Sequence, residues 1–217
     1  MSGGGRALPP SPFVYPILDT ALLRGRAVGA LVGALARGGA ELVQLRAKAL
    51  PDGERLRAAR AAVAAADEAG IALVVNDRVD VALLSGAHGV HLGQDDLPPR
   101  VARELLGARA LLGLSTHTLA QLERAADEPV DYVAFGPVLA TRSKENADPV
   151  VGVAGLAEAR RRCRLPLVAI GGITPAAAGE VARAGADGLA VIAHVMAAAD
   201  PAAAVRALRA AVAARNA

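Results

Sequence analysis

From residue 13 onward the chain alternates between two patterns. Short, nearly continuous apolar runs recur at VYPILD (14–19), ELVQLR (41–46), ALVVN (72–76), GVHLG (89–93), LLGLS (111–115), YVAFG (132–136), PLVAIG (166–171) and GLAVI (188–192). Runs of this kind are expected of parallel strands covered on both faces. Between them lie Ala/Leu/Arg stretches with helical spacing. Residues 53–69 place Leu56, Ala59, Val63 and Ala66 on one stripe, and residues 201–214 do the same with Val205, Leu208 and Val212. Thr174 and Pro175 read as N-cap and first residue of a helix over 175–184. A compact helix fits around 78–85. Eight strand–helix pairs in about 200 residues predict an α/β fold, a single (β/α)8 TIM barrel near its minimum size. A doubly wound open sheet also alternates β and α, but the first strand leads into LDTALLRG, with no glycine-rich dinucleotide turn. The expected organisation is a flexible extension over 1–12 and one barrel domain over 13–217.

In such a barrel the functional groups stand where strands end, and here polar residues cluster at those points. Gln44, Arg46 and Lys48 alternate along the end of the second strand and so point to one side. Asn76 and Asp77 follow the third, Gln94, Asp95 and Asp96 the fourth, and Ser115 and His117 the fifth. A longer loop after the sixth carries Thr141, Arg142, Ser143 and Lys144; Gly171-Gly172 follows the seventh and Ala193 the eighth. Each also has a plainer role open to it: an exposed strand end for Gln44 to Lys48, a helix cap for Asn76-Asp77 or Asp95, a tight turn for the glycines, a satisfied core position for His91. Together they place cations (Arg46, Lys48, Lys144) and carboxylates (Asp77, Asp96) on one rim. Two carboxylates suit Mg2+, which takes one or two of them plus phosphate oxygens and water. Arg and Lys suit the remaining phosphate charge. AIGGIT and GLAVIA add two turns able to lay N–H groups against a second phosphate. Two phosphate-bearing ligands in one barrel imply transfer between them.

Composition narrows the partners. The chain is 53% hydrophobic but only 2% aromatic, with a net charge of +3 and no Trp. A core of Ala, Val, Leu and Ile follows. Nucleic-acid binding finds neither a charge surplus nor stacking platforms. The single Cys163 excludes an intramolecular disulfide framework and reads as a buried thiol. No run reaches the ~20 apolar residues of a membrane span, and MSGGGRALPPSP lacks the apolar core of a signal peptide. A cytoplasmic enzyme acting on small molecules, with self-association open, is the expectation.

QLRAK (44–48), VNDRVDVAL (75–83), GVHLGQDDLP (89–98), GLSTHT (113–118), FGPVLATRSK (135–144), AIGGIT (169–174) and AGADGLAVI (184–192) resemble, in order and spacing, the thiamine-phosphate synthase family. The resemblance implies a (β/α)8 barrel that couples hydroxymethylpyrimidine diphosphate to hydroxyethylthiazole phosphate and releases pyrophosphate. It implies Asp77 and Asp96 as Mg2+ ligands, and Gln44, Arg46, Lys48, Asn76, Ser115 and Lys144 as holding the pyrimidine diphosphate. Arg46, Lys48, Lys144 and Ser115 carry the catalytic expectation. Thr141, Ser143, Gly172, Ile192 and Ala193 are implied to line the thiazole phosphate site. The implied chemistry is dissociative, with loop 137–152 as a lid. Departures are Ala193 where Ser is common, Ser143 for Thr, Ala140 for Pro, and His88 for Asp on the approach to the fourth strand. Two rivals remain: a thiazole tautomerase with His117 as acid and base, and a non-catalytic barrel that binds thiamine precursors.

Overall fold

A computed structural model describes residues 7–141 and 149–214. Among them, eight parallel strands form a closed barrel in chain order: β1 (Phe13–Asp19), β2 (Leu42–Arg46), β3 (Ala72–Asn76), β4 (Gly89–Leu92), β5 (Leu111–Thr116), β6 (Tyr132–Phe135), β7 (Leu167–Ile170) and β8 (Gly188–Val191). Closure leaves no sheet edge. The helices are α1 (Val28–Arg37), α2 (Asp52–Ala69), α3 (Val79–Ser85), α4 (Pro99–Leu106), α5 (Leu119–Ala125), α6 (Gly152–Arg162), α7 (Pro175–Arg183), α8 (Ala193–Ala197) and α9 (Pro201–Ala213). No helix among the described residues is long and apolar enough to cross a membrane.

The period-two geometry of strands sorts the apolar residues into two cores. Residues facing outward from the strands (Leu18, Val43, Leu73, Val90, Leu112, Val133) pack against helix residues such as Leu35, Ala59, Leu156 and Leu208. Full burial of a Leu or Val contributes about 1.5–3 kcal/mol, so this aliphatic shell supplies most of the driving force. Residues facing inward (Phe13, Tyr15, Ile17, Leu42, Ala72, Val74, Leu111, Tyr132, Val168) fill the barrel itself. Leu8, within the segment expected to be an extension, packs against this interior cluster.

The helix expectations hold with shifts of one residue or so. On α2 the buried stripe is Ala59, Ala62, Val63 and Ala66, while Leu56 is half-buried. Thr174 occupies the α7 N-cap position without a side-chain capping bond. Asp95 does not cap α4, whose N-cap residue is Pro98. The short α8 lies between β8 and α9, where no helix was expected. Cys163 is buried, and its thiol donates to Leu165 O (3.8 Å).

The rim at the N-terminal strand ends is tied by a repeated device. Asp131, just before β6, accepts from Leu112 N (2.7 Å) and pairs with Arg103 (2.8 Å). Asp187, just before β8, accepts from Leu167 N (2.8 Å) and pairs with Arg160 (2.9 Å). His88, just before β4, does the same work by different chemistry. Its Nδ1 accepts from Leu73 N (3.0 Å) and its Nε2 faces Asp67 (3.1 Å). A backbone N–H can only donate, so Nδ1 carries no proton and Nε2–H points at the carboxylate.

Candidate active site

At the opposite rim the strand ends surround a cavity of about 500 Å3. Of the residues expected at a site, its wall contains Gln44, Arg46, Lys48, Asn76, Asp77, Asp96, Ser115 and Ile192, with Asp95 and His117 beside them. Thr141, Gly172 and Ala193 do not contribute to this wall. Gly172 instead lies beneath the start of the loop after β6: a Cβ there would meet Ala140 O at 2.5 Å, and its φ of +68° suits glycine. Ala193 is the first residue of α8, with Ile192 as its N-cap. Ser143 and Lys144, with the rest of 142–148, lie outside the described residues.

The alternation along β2 points Gln44 and Arg46 into the barrel mouth, and Lys48 follows in the loop. Arg46 lies opposite Asp19 in the strand register and forms an ion pair with it. Asp19 is buried, and its Oδ1 also accepts from Ala21 N (3.0 Å). Asp19 was missed in the sequence, although a carboxylate at the end of YPILD was the available signal. Its pairing aims the guanidinium and leaves its other N–H groups for a ligand.

Asp77 sits in the left-handed region (φ +65°), uncommon for a residue with a side chain. Two backbone bonds hold it there: Asp77 N donates to His91 O, and Arg78 N to Asn76 O, each at 2.8 Å. The turn sends the carboxylate over the mouth, where Lys48 Nζ stands at 3.1 Å. The Asp96 carboxylate arrives from the β4 side and accepts from Gly93 N (2.6 Å). Burial, and then the adjacent hydrogen-bonded Asp96, raise the Asp77 pKa above its ordinary 3.8, against the pull of Lys48. Among the described residues no group of three His, Cys, Asp or Glu side chains stands together as a metal site. Two apposed carboxylates nevertheless fit a Mg2+ that draws its other ligands from water and a phosphate-bearing substrate, because a cation offsets both the burial of charge and the apposition that raise the Asp77 pKa.

Below the charged mouth runs a buried polar chain. Gln44 Nε2 donates to the Tyr15 hydroxyl (2.9 Å), which meets the Tyr132 hydroxyl (2.9 Å). The Tyr132 hydroxyl lies 3.0 Å from His91 Nδ1, and His91 Nε2 lies 2.9 Å from Ser115 Oγ. His91 is thus a satisfied core residue, as its apolar strand suggested, but it also lines the cavity. Tyr15 and Tyr132 were not singled out in the sequence; two inward aromatics in a chain with only 2% aromatics were the signal. His117 Nδ1 lies 2.8 Å from Gly136 O, an acceptor only, so Nδ1 carries the proton.

The family model described as thiamine monophosphate synthase matches residues 14–195. A thiamine-phosphate synthase of Roseiflexus sp. (strain RS-1) is 44% identical over 98% of this chain and 87% of its own length. One of Methanoculleus marisnigri is 47% identical over 94% of this chain and 97% of its own. The solved thiamine phosphate pyrophosphorylase of Pyrococcus furiosus superposes with a TM-score of 0.83 at 33% identity, covering 94% of this chain and 96% of that one. With the matching barrel and its charged mouth, these likenesses show that the chain belongs to the thiamine monophosphate synthase family.

Proposed function

We propose that this barrel is a thiamine-phosphate synthase, a transferase that joins hydroxymethylpyrimidine diphosphate to hydroxyethylthiazole phosphate and releases pyrophosphate. The observation that carries the reading is the charged mouth: Arg46, Lys48, Asp77 and Asp96 gather above Gln44 and Ser115 in one cavity. An isomerase acting on a thiazole phosphate has no use for a diphosphate clamp joined to a carboxylate pair.

Mg2+, held by Asp77 and Asp96, would supply positive charge to neutralise a departing diphosphate. Arg46 and Lys48 take phosphate oxygens directly, Arg46 being pre-aimed by Asp19. Lys144 enters this clamp on the strength of the TRSK motif. Gln44, Asn76 and Ser115 hold the pyrimidine with its methylene carbon toward the open end. The C–O bond to diphosphate breaks heterolytically, both bonding electrons leave with the diphosphate, and the electron-rich aminopyrimidine stabilises the resulting methylene cation. The thiazole nitrogen then donates its lone pair to that carbon. No protein nucleophile is required. The protein contributes placement and fixed charge, and the apolar wall of Ile17, Ile170 and Ile192 limits water near the cation. Gly172, Ile192 and Ala193 offer backbone N–H groups, and Thr141 and Ser143 hydroxyls, for the thiazole phosphate. The reaction is placed in the cytoplasm.

Incubating the protein with both substrates, with Mg2+ and again with EDTA, tests this reading. The expected result is Mg2+-dependent pyrophosphate release matched by thiamine phosphate. Silence in both conditions, with the thiazole phosphate still bound, would replace it with a tautomerase or a binding protein and make His117 the residue to test.

A further inference from the structure

Lys48 stands in a loop with few apolar fastenings. Ala47 before it is buried and Leu50 beyond it packs against the aliphatic shell, but Lys48 and Ala49 between them are exposed. A cavity of about 260 Å3 opens between this loop and the Asp77 turn, with Lys48, Arg55, Asp77 and Arg78 in its wall. At that level hydrogen bonds, rather than packed side chains, bridge the two loops. A lysine loses much rotamer freedom when its ammonium is held in one place. Its 3.1 Å approach to Asp77 therefore needs a fixed backbone beneath it.

Arg55, in the first turn of α2, supplies that fixture. Its side chain is only 14% exposed. Its Nε donates to Ala47 O (3.0 Å), and its Nη2 donates to Leu50 O (2.7 Å) and Lys48 O (3.3 Å). One rigid fork of N–H groups thus serves three carbonyls that lie outside helix and strand. Its Nη1 pairs with Asp52, and the same Asp52 oxygen accepts from Arg78 Nη1 (2.8 Å). Arg78 follows Asp77 in the chain and is also held by Asp80 (2.8 and 2.6 Å). The loops that carry Lys48 and Asp77 thereby share one carboxylate. Asp52 is 73% exposed, so this link is the weaker part of the latch. Arg55 itself does not line the 500 Å3 cavity at the barrel mouth.

We propose that Arg55 is a positioning residue for the diphosphate clamp. It fixes the backbone around Lys48 and, through Asp52 and Arg78, ties that loop to the Asp77 turn, so the ammonium is in place before the diphosphate binds. This rests on the synthase reading, which gives Lys48 the diphosphate as its ligand. A donor ordered in advance adds affinity because its ordering cost is not met on binding.

Inorganic pyrophosphate is the probe, titrated by calorimetry with Mg2+ into the parent protein and into Arg55→Met, which keeps the apolar stem and removes every donor. Affinity should fall about tenfold. Lys48→Ala should weaken binding as well, and adding Arg55→Met to it should cost no more than about twofold further, because nothing is left to position. Arg55→Lys keeps the charge without the fork, so it should lose most of the same affinity; it carries the test if Arg55→Met does not fold. In turnover, KM for the pyrimidine diphosphate should rise while KM for the thiazole phosphate is unchanged, a split that a general loosening of the barrel would not produce. Parent-like pyrophosphate affinity in a folded Arg55 variant, or additive losses in the double variant, overturns the positioning role. Absence of pyrophosphate binding by the parent overturns it together with the synthase reading. A parent that makes thiamine phosphate but shows either of the first two results loses the positioning role alone.

Discussion

Both rims of the barrel carry Asp, Arg and His at strand ends, and both contain an Asp closed on an Arg and a backbone amide, as Asp19 is on Arg46 and Ala21 N, yet only one rim sets two carboxylates against each other. At the N-terminal rim each charge closes on a neighbour and a backbone amide: Arg103 and Leu112 N on Asp131, Arg160 and Leu167 N on Asp187. These groups tie adjacent strands together. At the C-terminal rim Asp77 and Asp96 face each other, and burial with that apposition raises the Asp77 pKa. The same residue types stabilise at one end and store unfavourable charge at the other. The difference teaches that a carboxylate closed on one arginine braces strands, while two carboxylates set against each other leave charge for a cation to neutralise.

The comparison can be broken most severely at the C-terminal rim. Asp96→Asn should lower turnover by about 1,000-fold, with a thermal midpoint equal to the parent's or higher, because it removes the charge that opposes Asp77 while its amide oxygen can still accept from Gly93 N; steady-state pyrophosphate release and a melting curve measure both. At the N-terminal rim Asp187→Ala should do the reverse. It orphans Leu167 N–H and strips Arg160 of its partner, at a cost of about 1–3 kcal/mol given the partial exposure of the pair. Denaturant titration reads that loss, and kcat per folded molecule should be unchanged. A smaller loss, about 1–2 kcal/mol, is expected of His88→Ala, and His88→Asp should restore most of it by again accepting from Leu73 N. No recovery in the Asp variant would mean that His88 acts through something other than this bond.

The smallest effect is a slope. A proton and a cation compete for Asp77, and protonation removes the ligand. Because its pKa lies above the ordinary 3.8, Mg2+ affinity is full above that raised value and falls as pH drops through it, by at most about tenfold per pH unit for one proton. Calorimetric Mg2+ titrations across mildly acidic pH check this, and Asp77→Asn should flatten the dependence.

Much of this is legible in the sequence. The strand positions follow from apolar runs, and the gathering of Gln44, Arg46, Lys48, Asp77, Asp96 and Ser115 follows from the rule that strand ends share a rim. The plainer roles fared unevenly: His91 is a satisfied core residue, while Asp95 does not cap its helix. Asp19, Tyr15 and Tyr132 escaped because each reads as part of an apolar strand, and what matters about them is a partner on another strand. Asp19 becomes a site residue only when the β1–β2 register sets it opposite Arg46.

By itself, then, the sequence determined the elements, their order and the set of polar groups at each strand end, because period, run length and turn chemistry are local. Tertiary structure alone decided which of those groups touch. Closure of the barrel brings β1 and β6 near enough for two tyrosines to meet across the interior. The left-handed turn at Asp77 sets its carboxylate against one that lies 19 residues further along the chain. Direction and pairing are properties of packed neighbours, and in a parallel barrel every such neighbour comes from another strand.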